Sequence, residues 1–291
     1  VTTRLDSELV RRGLARSRGH AGELIAAGRV SVRGESVKRG SAQVTADDVV
    51  DVVRDPTDPG YASRAAHKLA GALDALADLG MGGPVVEGAT CLDAGASTGG
   101  FTDVLLRRGA RHVVAVDVGH DQLTEALRDD PRVESREGVN VRDLAPGDLA
   151  PAPSVVVADL SFISLTLVLP VLAAVAAPDA DLLLMVKPQF EVGRERLGSG
   201  GVVRDPALRA EAVLDVARAA VAAGLDVRAV VRSPLPGPSG NVEFFLWLRR
   251  GPHAAHGART TDVADLAEAV RDVVVGDAAA RAVAPTDGSA S

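Results

Sequence analysis

Asp93, Asp117, Asp159 and Lys187 each close an apolar run, in the segments CLD, HVVAVD, SVVVAD and DLLLMVK. Runs of this kind, alternating with helical segments, are the strands of a parallel sheet covered on both faces. In open sheets of that class ligands bind beyond the carboxyl ends of the strands, which is where these four ionisable residues fall. A purely structural pattern would scatter them over both edges. Glu243 joins them if the last strand, EFFLWLRR, runs antiparallel, because its first residue then meets the same rim. The connection before it, Ser233–Gly240, is rich in Pro, Gly and Ser and carries no helix, which favours that direction. Lysine and carboxylates gathered on one rim suit proton handling beside a bound ligand.

The segment DAGASTGGF reads as a turn from strand to helix, with glycines that admit a ligand close to the backbone and free N–H groups at the helix start. It lacks the lysine of a triphosphate-binding loop. It also lacks a strict G-x-G-x-x-G, since Ser97 stands at the second glycine. Asp117 follows Gly95 by 22 residues (117 − 95), the distance at which an acid meets a ribose diol. A ligand with a ribose and no pyrophosphate satisfies both features, and S-adenosyl-L-methionine is one. The residues expected around it are Asp93, Gly95, Ser97, Thr98, Gly99, Asp117, Val118, Asn140 and Asp159.

Other reactive side chains read as structural. Cys91 opens a buried strand at the end away from the rim, so a core role outweighs a nucleophilic one. As the single cysteine it excludes an intramolecular disulfide and a multi-cysteine zinc site. His20, His67 and His112 lack metal-ligand spacing, and no metal is expected. His253 and His256 read as solvated. Arg4, Asp6, Glu8, Arg11 and Arg12 interrupt every early apolar run, so no signal peptide is read. The apolar run near Leu165–Ala177 contains Pro170 and falls short of the ~20 residues that span a bilayer. The expectation is a cytoplasmic protein with no membrane partner.

These residues need elements to hold them. A front unit, residues 1–54, is expected to carry a helix from Leu5 to Gly13 capped by Asp6 or Ser7, and a second from a Ser17 cap to Ala27. Strands are expected around Val30–Val32 and Val49–Val52. Residues 55–60 (DPTDPG) are a linker. Residues 61–250 carry a helix over 63–79 and then alternating strands and helices, including helices near 121–128 and 167–176 and one over 206–223. Beyond 250 the Ala- and Asp-rich tail is expected to hold one helix near 262–274 and to be disordered from 276 on. With aromatics at 2% of residues, the core must be built from Ala, Val and Leu.

The net charge of −7 argues at first against a nucleic-acid partner, but it is unevenly spread. From Arg4 to Arg39 nine Arg or Lys face four Asp or Glu, a local balance of +5. Such asymmetry suits either a basic module that binds RNA or an ordinary solvated face.

Taken together, RLDSELVRRGLARSR, SRAAHKL, CLDAGASTGGFTDVLL, VVAVDVGHDQL, VVADLSFISL, VKPQFEVG and PLPGPSGNVEFFLWL resemble the hemolysin A (TlyA) family of ribosomal RNA 2′-O-methyltransferases over roughly residues 4–250. The resemblance implies a small α+β RNA-binding domain of the ribosomal-protein-S-four type. Behind it comes an α/β FtsJ-like, Rossmann-type methyltransferase domain with a mostly parallel seven-stranded sheet and an antiparallel last strand. It implies S-adenosyl-L-methionine as methyl donor, cytidines of the small and large ribosomal subunits as substrates, and a Lys-Asp-Lys-Glu catalytic tetrad at Lys68, Asp159, Lys187 and Glu243. Read without the family, Lys68 would be a surface lysine of a helix. In the implied mechanism Lys187 takes the hydroxyl proton, Lys68 orients the hydroxyl or stabilises the oxyanion, and the two acids hold the lysines. Arg4, Arg18 and Lys38 of the front unit are expected on phosphates, with Arg64 and Arg194 guiding the target strand. Phe162 either stacks a flipped base or packs in the core. The rival readings are a non-catalytic RNA-binding or ribosome-assembly factor, a membrane-damaging protein and a small-molecule methyltransferase. No Lys-rich amphipathic segment supports the second, and the basic front unit disfavours the third.

Overall fold

The computed structural model describes residues 2–15, 18–53, 59–80, 82–251, 262–276 and 278–283. It divides into two units, Val1–Arg64 and Ala65–Ser291, each with its own core.

In the first unit Leu5 and Leu9 stand one turn apart on α1 (Leu5–Arg11) and pack on Ala21, Leu24 and Ile25 of α2 (Arg18–Ala26). Its strands are β1 (Thr2–Arg4), β2 (Val30–Val32), β3 (Glu35–Ser36), β4 (Gln43–Thr45) and β5 (Val50–Val52). β1 pairs with β4, and β2 lies between β3 and β5, all antiparallel. Neither Asp6 nor Ser7 caps α1: the helix starts at Leu5, and Asp6 lies in its first turn accepting the Ser7 N–H at 2.8 Å. The expected cap Ser17 lies outside the described residues.

The second unit opens with α3 (Ala65–Asp78), whose apolar stripe Ala66, Leu69, Leu73 and Leu76 is buried. Strands and helices then alternate: β6 (Thr90–Ala94), α4 (Gly100–Arg107), β7 (His112–Asp117), α5 (Glu125–Arg128), β8 (Val133–Glu137), β9 (Val155–Ala158), α6 (Leu169–Val175), β10 (Asp181–Val186), α7 (Pro188–Glu191), α8 (Pro206–Ala222), β11 (Leu225–Arg232), β12 (Phe244–Arg250), α9 (Val263–Val270) and β13 (Ala280–Ala282). The sheet order is β13-β11-β12-β10-β9-β6-β7-β8. The pairs from β10 through β8 are parallel, and β12 runs antiparallel to both its neighbours. Val186 stands opposite Phe244, so the next step along the register brings Lys187 and Glu243 to the same rim.

Two expectations are corrected. The sheet has eight strands, not seven, because β13 pairs antiparallel with β11 inside a segment expected to be disordered. A π-helical turn, Arg271–Val275, follows α9, and Arg232 donates to the carbonyls of Val273 at 2.9 Å and Gly276 at 3.0 Å. Val273, Val274 and Val283 are buried in the same core as the sheet. The helix expected over 121–128 shrinks to α5, because Glu137 takes the Asp121 N–H at 2.7 Å and Asp117 the Gly119 N–H at 2.7 Å. These bonds hold the start of that segment as a loop. The core is built of Val, Leu and Ala, with Phe101 stacked on Phe245 at 6.1 Å between ring centroids. Cys91 is fully buried in β6, and burial first, then the Asp93 charge, pushes its thiol up to about 12.

Candidate active site

Strand ends and one helix converge on the rim. Lys187, one residue past β10, places Nζ 2.7 Å from Asp159 Oδ1, one residue past β9, and donates to Ser161 Oγ at 2.9 Å. The Asp159 contact is a close ion pair off the hydrogen-bonding direction. Lys68, on α3, reaches Glu243 with Nζ 2.5 Å from Oε2. Lys68 is 5% exposed and Glu243 1%, so each neutralises a partner that could not be buried alone. Gln189 donates to the other Glu243 oxygen at 3.2 Å. Gly71 lets α3 approach: a Cβ there would lie 2.7 Å from Pro234 Cγ, in the loop leading to Glu243. The structure therefore brings Lys68, Asp159, Lys187 and Glu243 together as two lysine–carboxylate pairs. Ser161 and Gln189, which contact them, were not foreseen from sequence.

Beside the Lys187–Asp159 pair lies a cavity of about 760 Å³. Gly95, Ser97, Asp117, Val118, Asn140 and Asp159 line it; Asp93, Thr98 and Gly99 do not. Gly95 has φ +86°, and a Cβ there would stand 3.1 Å from the Asp159 carbonyl oxygen, filling the narrow space between the loop and β9. Ser97 keeps φ +48° although it is not glycine, and its N–H donates to Asp117 Oδ2 at 2.8 Å. Asn140 caps the next turn by accepting from Arg142 N at 3.0 Å. Val118 is 66% exposed at the cavity wall. No group of metal-ligating side chains occurs among the described residues.

Asp93 does a different job from the one expected. It is fully buried, its Oδ2 accepts from Thr102 Oγ1 at 2.7 Å, and its Oδ1 has no hydrogen-bond partner among the described residues. Burial pushes its pKa up to about 7, with Thr102 opposing and the Asp159 and Asp117 charges adding to the rise. An unfolded aspartate titrates near 4, so the folded protein holds this proton more tightly. The stability it contributes is complete below about pH 4 and is lost as pH rises through 7. Asp93→Asn can still accept from Thr102. It is expected to match the parent near pH 4 and to exceed it at pH 8 by up to about 4 kcal/mol. Urea unfolding of both proteins across that range checks this, and parallel curves would count against it.

Phe162 is not a core residue. It is 92% exposed with φ +63°, on the cavity wall, tilted against Phe190 at 5.2 Å between centroids. Glu191, on α7, fastens this loop by accepting from Ser164 Oγ at 2.5 Å and Leu165 N at 2.9 Å. Burial raises its pKa. Arg194 and Arg64 are exposed.

In the first unit Asp6 pairs with Arg4 at 2.6 Å and Arg18 at 3.2 Å. The Arg4 hydrogen bond, then Arg18, holds its carboxyl well below the usual range. Glu8 likewise fixes Arg11 and Arg12, and Arg12 donates to the Asp48 and Thr45 carbonyls at 2.7 and 3.0 Å. Arg4, Arg11, Arg12 and Arg18 are thus set in place by buried acids, while Arg4, Arg18 and Lys38 stay exposed.

A cavity large enough for a nucleoside at the ends of β6 and β7, walled by a glycine turn and by the Asp159 that pairs with Lys187, marks a Rossmann-like group-transfer enzyme. Residues 61–250 match the FtsJ-like methyltransferase family and residues 3–50 the S4 domain. The chain is 54% identical over 256 residues to "16S/23S rRNA (cytidine-2'-O)-methyltransferase TlyA" of Mycobacterium tuberculosis, covering 88% of this chain and 93% of the relative. It is 37% identical over 243 residues to "Hemolysin A" of Brachyspira hyodysenteriae, covering 83% and 98%. A solved structure described as "Putative hemolysin from Streptococcus thermophilus" is 34% identical with TM-score 0.70, covering 93% of this chain and 95% of that one. The chain belongs to the TlyA family of FtsJ-like methyltransferases, with an S4 domain in front. The resemblance read from the sequence is borne out.

Proposed function

We propose that this chain methylates the ribose 2′-hydroxyl of cytidines in ribosomal RNA of the small and large subunits, with S-adenosyl-L-methionine as donor. The observation that carries the reading is the pairing of Lys187 with Asp159, a wall residue of a cavity large enough for a nucleoside, with the buried Lys68–Glu243 pair on the same sheet rim. The 54% identical relative is named for this activity. The cavity fits the donor: its volume suits a nucleoside amino acid, the Gly95 turn leaves the backbone bare, and Asp117 stands ready for a ribose diol. When bound, that donor supplies a methyl whose bond to sulfur breaks with the electron pair left on sulfur.

The remaining work belongs to the protein. Lys187 Nζ, in its neutral form, accepts the proton of the ribose hydroxyl as the oxygen takes the methyl. Lys68 steadies the oxygen as negative charge develops. Asp159 and Glu243 hold the two lysines. The chief contribution is in-line geometry, with reacting atoms ~3–3.5 Å apart. Exposed Phe162 offers a face on which a flipped base can stack, and Arg64 and Arg194 guide the strand. An RNA substrate of this kind sets the work in the cytoplasm.

Two rivals fall short on specific grounds. A purely binding protein has no need of two shielded lysine–carboxylate pairs on one sheet rim. For a membrane-damaging protein, no helix of the described residues is long and apolar enough to cross a bilayer. Mapping 2′-O-methylation on ribosomal RNA after incubation with protein and labelled donor tests the reading, and subunits left without label would refute it.

The front unit should act in binding alone. Each phosphate contact releases condensed counterions, so affinity falls steeply with salt. Removing residues 1–54 is expected to leave donor affinity within about twofold. It should lower both subunit affinity and its salt slope, the slope by ~0.7–0.9 for every phosphate that the front unit neutralises. Arg18→Glu should act the same way more weakly, since it reverses one exposed cation and leaves the rest of the unit in place. A salt titration of subunit binding with both chains decides, and equal slopes would place the electrostatic contacts elsewhere.

A further inference from the structure

Lys187 Nζ has three neighbours of note: Asp159 Oδ1 at 2.7 Å, Ser161 Oγ at 2.9 Å and the Phe190 ring, whose centroid lies 5.9 Å away. They differ in what they can do. The carboxylate attracts the amine without a hydrogen-bonding alignment, and the ring's attraction is broad in angle. Among the described residues, Ser161 is the partner that meets this nitrogen along a hydrogen-bonding direction. A neutral amine carries two N–H groups and one lone pair, and it rotates among three staggered positions about Cε–Nζ. Unless something selects among them, the lone pair meets a neighbouring hydroxyl in roughly one position of three.

We infer that Ser161 is a positioning residue for the transfer: by accepting one N–H of Lys187 it leaves the lone pair two of the three staggered positions, and the Asp159 charge, drawing the second N–H, leaves it the one that faces the ribose hydroxyl. The inference rests on the assignment of Lys187 as base. Ser161 suits the role because it lies two residues after Asp159 on the cavity wall, so one short segment carries both the ion-pair partner of Lys187 and the group that sets its rotation. Glu191 anchors that segment at its far end through Ser164 and Leu165. In the step itself the hydroxyl oxygen bonds the methyl, its proton passes to the Lys187 lone pair, and the Ser161 hydrogen bond persists to the resulting ammonium.

The test compares Ser161→Ala, Ser161→Thr and Lys187→Ala in the full chain. It uses single-turnover methylation of ribosomal subunits at saturating S-adenosyl-L-methionine, with donor affinity by calorimetry and subunit affinity measured alongside. Ser161→Ala is expected to lower the rate constant about 10- to 100-fold, with both affinities within about twofold of the parent. Ser161→Thr keeps the acceptor oxygen and is expected to restore the rate to within about threefold. A rate for Ser161→Ala within about twofold of the parent, with Lys187→Ala inactive, overturns the inference and leaves the base assignment standing. A donor affinity weakened enough to explain the loss overturns it too, making Ser161 a cofactor contact. Retained activity in Lys187→Ala removes the base assignment and this inference with it.

Discussion

Lys187→Ala is expected to cut the single-turnover rate of methyl transfer by about 10³-fold, within the range a positioned general base contributes. The loss should fall on the chemical step. Lys187 meets Asp159 and Ser161, whereas in the turn that walls the cavity Asp117 is engaged with the Ser97 N–H. Donor affinity by calorimetry should therefore stay close to that of the parent. Lys187→Arg should not rescue, because a guanidinium keeps its proton at any working pH. The substitution to alanine leaves Asp159 without its cation, so thermal unfolding must accompany the kinetics to show that the protein is still folded. A folded Lys187→Ala variant that transfers at near the parental rate would mean that the proton leaves by another route.

Asp117→Ala should strike the complementary function. Its carboxylate does two things at once. It stands at the end of β7, where a ribose diol would meet it, and it accepts the N–H groups of Ser97 at 2.8 Å and Gly119 at 2.7 Å. Ser97 is held at φ +48°, a conformation that costs energy in a non-glycine residue. Removing Asp117 thus takes away a ligand contact and releases the turn that shapes the cavity. Charge-assisted hydrogen bonds are worth about 1.5–3 kcal/mol each, so donor affinity is expected to fall by about 100-fold or more. The rate at saturating donor should fall much less. Asp117→Asn retains an acceptor and should lie between. Calorimetry on the folded variants measures this directly, and an unchanged affinity for Asp117→Ala would take the ribose off the end of β7.

What could be read from the sequence follows physical contrast. Asp117, Asp159 and Lys187 stood out because a charge closing an apolar strand is conspicuous, and Glu243 followed once the strand direction was argued. Lys68 was legible only through the family resemblance. On a helix its neighbours give no hint of burial, and the partner that makes burial tolerable lies 175 residues away. Ser161 and Gln189 are ordinary polar residues whose meaning comes from what the fold sets beside them. Asp93 looked like a ligand contact by position, yet the pleat turns it into the core toward Thr102. The strand β13 escaped notice because Ala280–Ala282 has no alternation to read, and it is held by pairing with β11.

The strand order has a consequence for how the chain reaches its working state. β10 and β11 are not neighbours; β12, the later segment, lies between them. A nascent chain that has emerged only as far as β11 therefore has a gap in its sheet, with two rows of unpaired backbone groups facing each other across it. Only β12 fills that gap, and Glu243 arrives with it, giving Lys68 its counter-charge in the same motion. Closure of the sheet and completion of the catalytic rim are thus one folding event. It depends on contacts far apart in the chain, which form slowly. The front unit, made first and with every one of its strand pairings inside its own span, can be folded before the enzyme behind it is able to act.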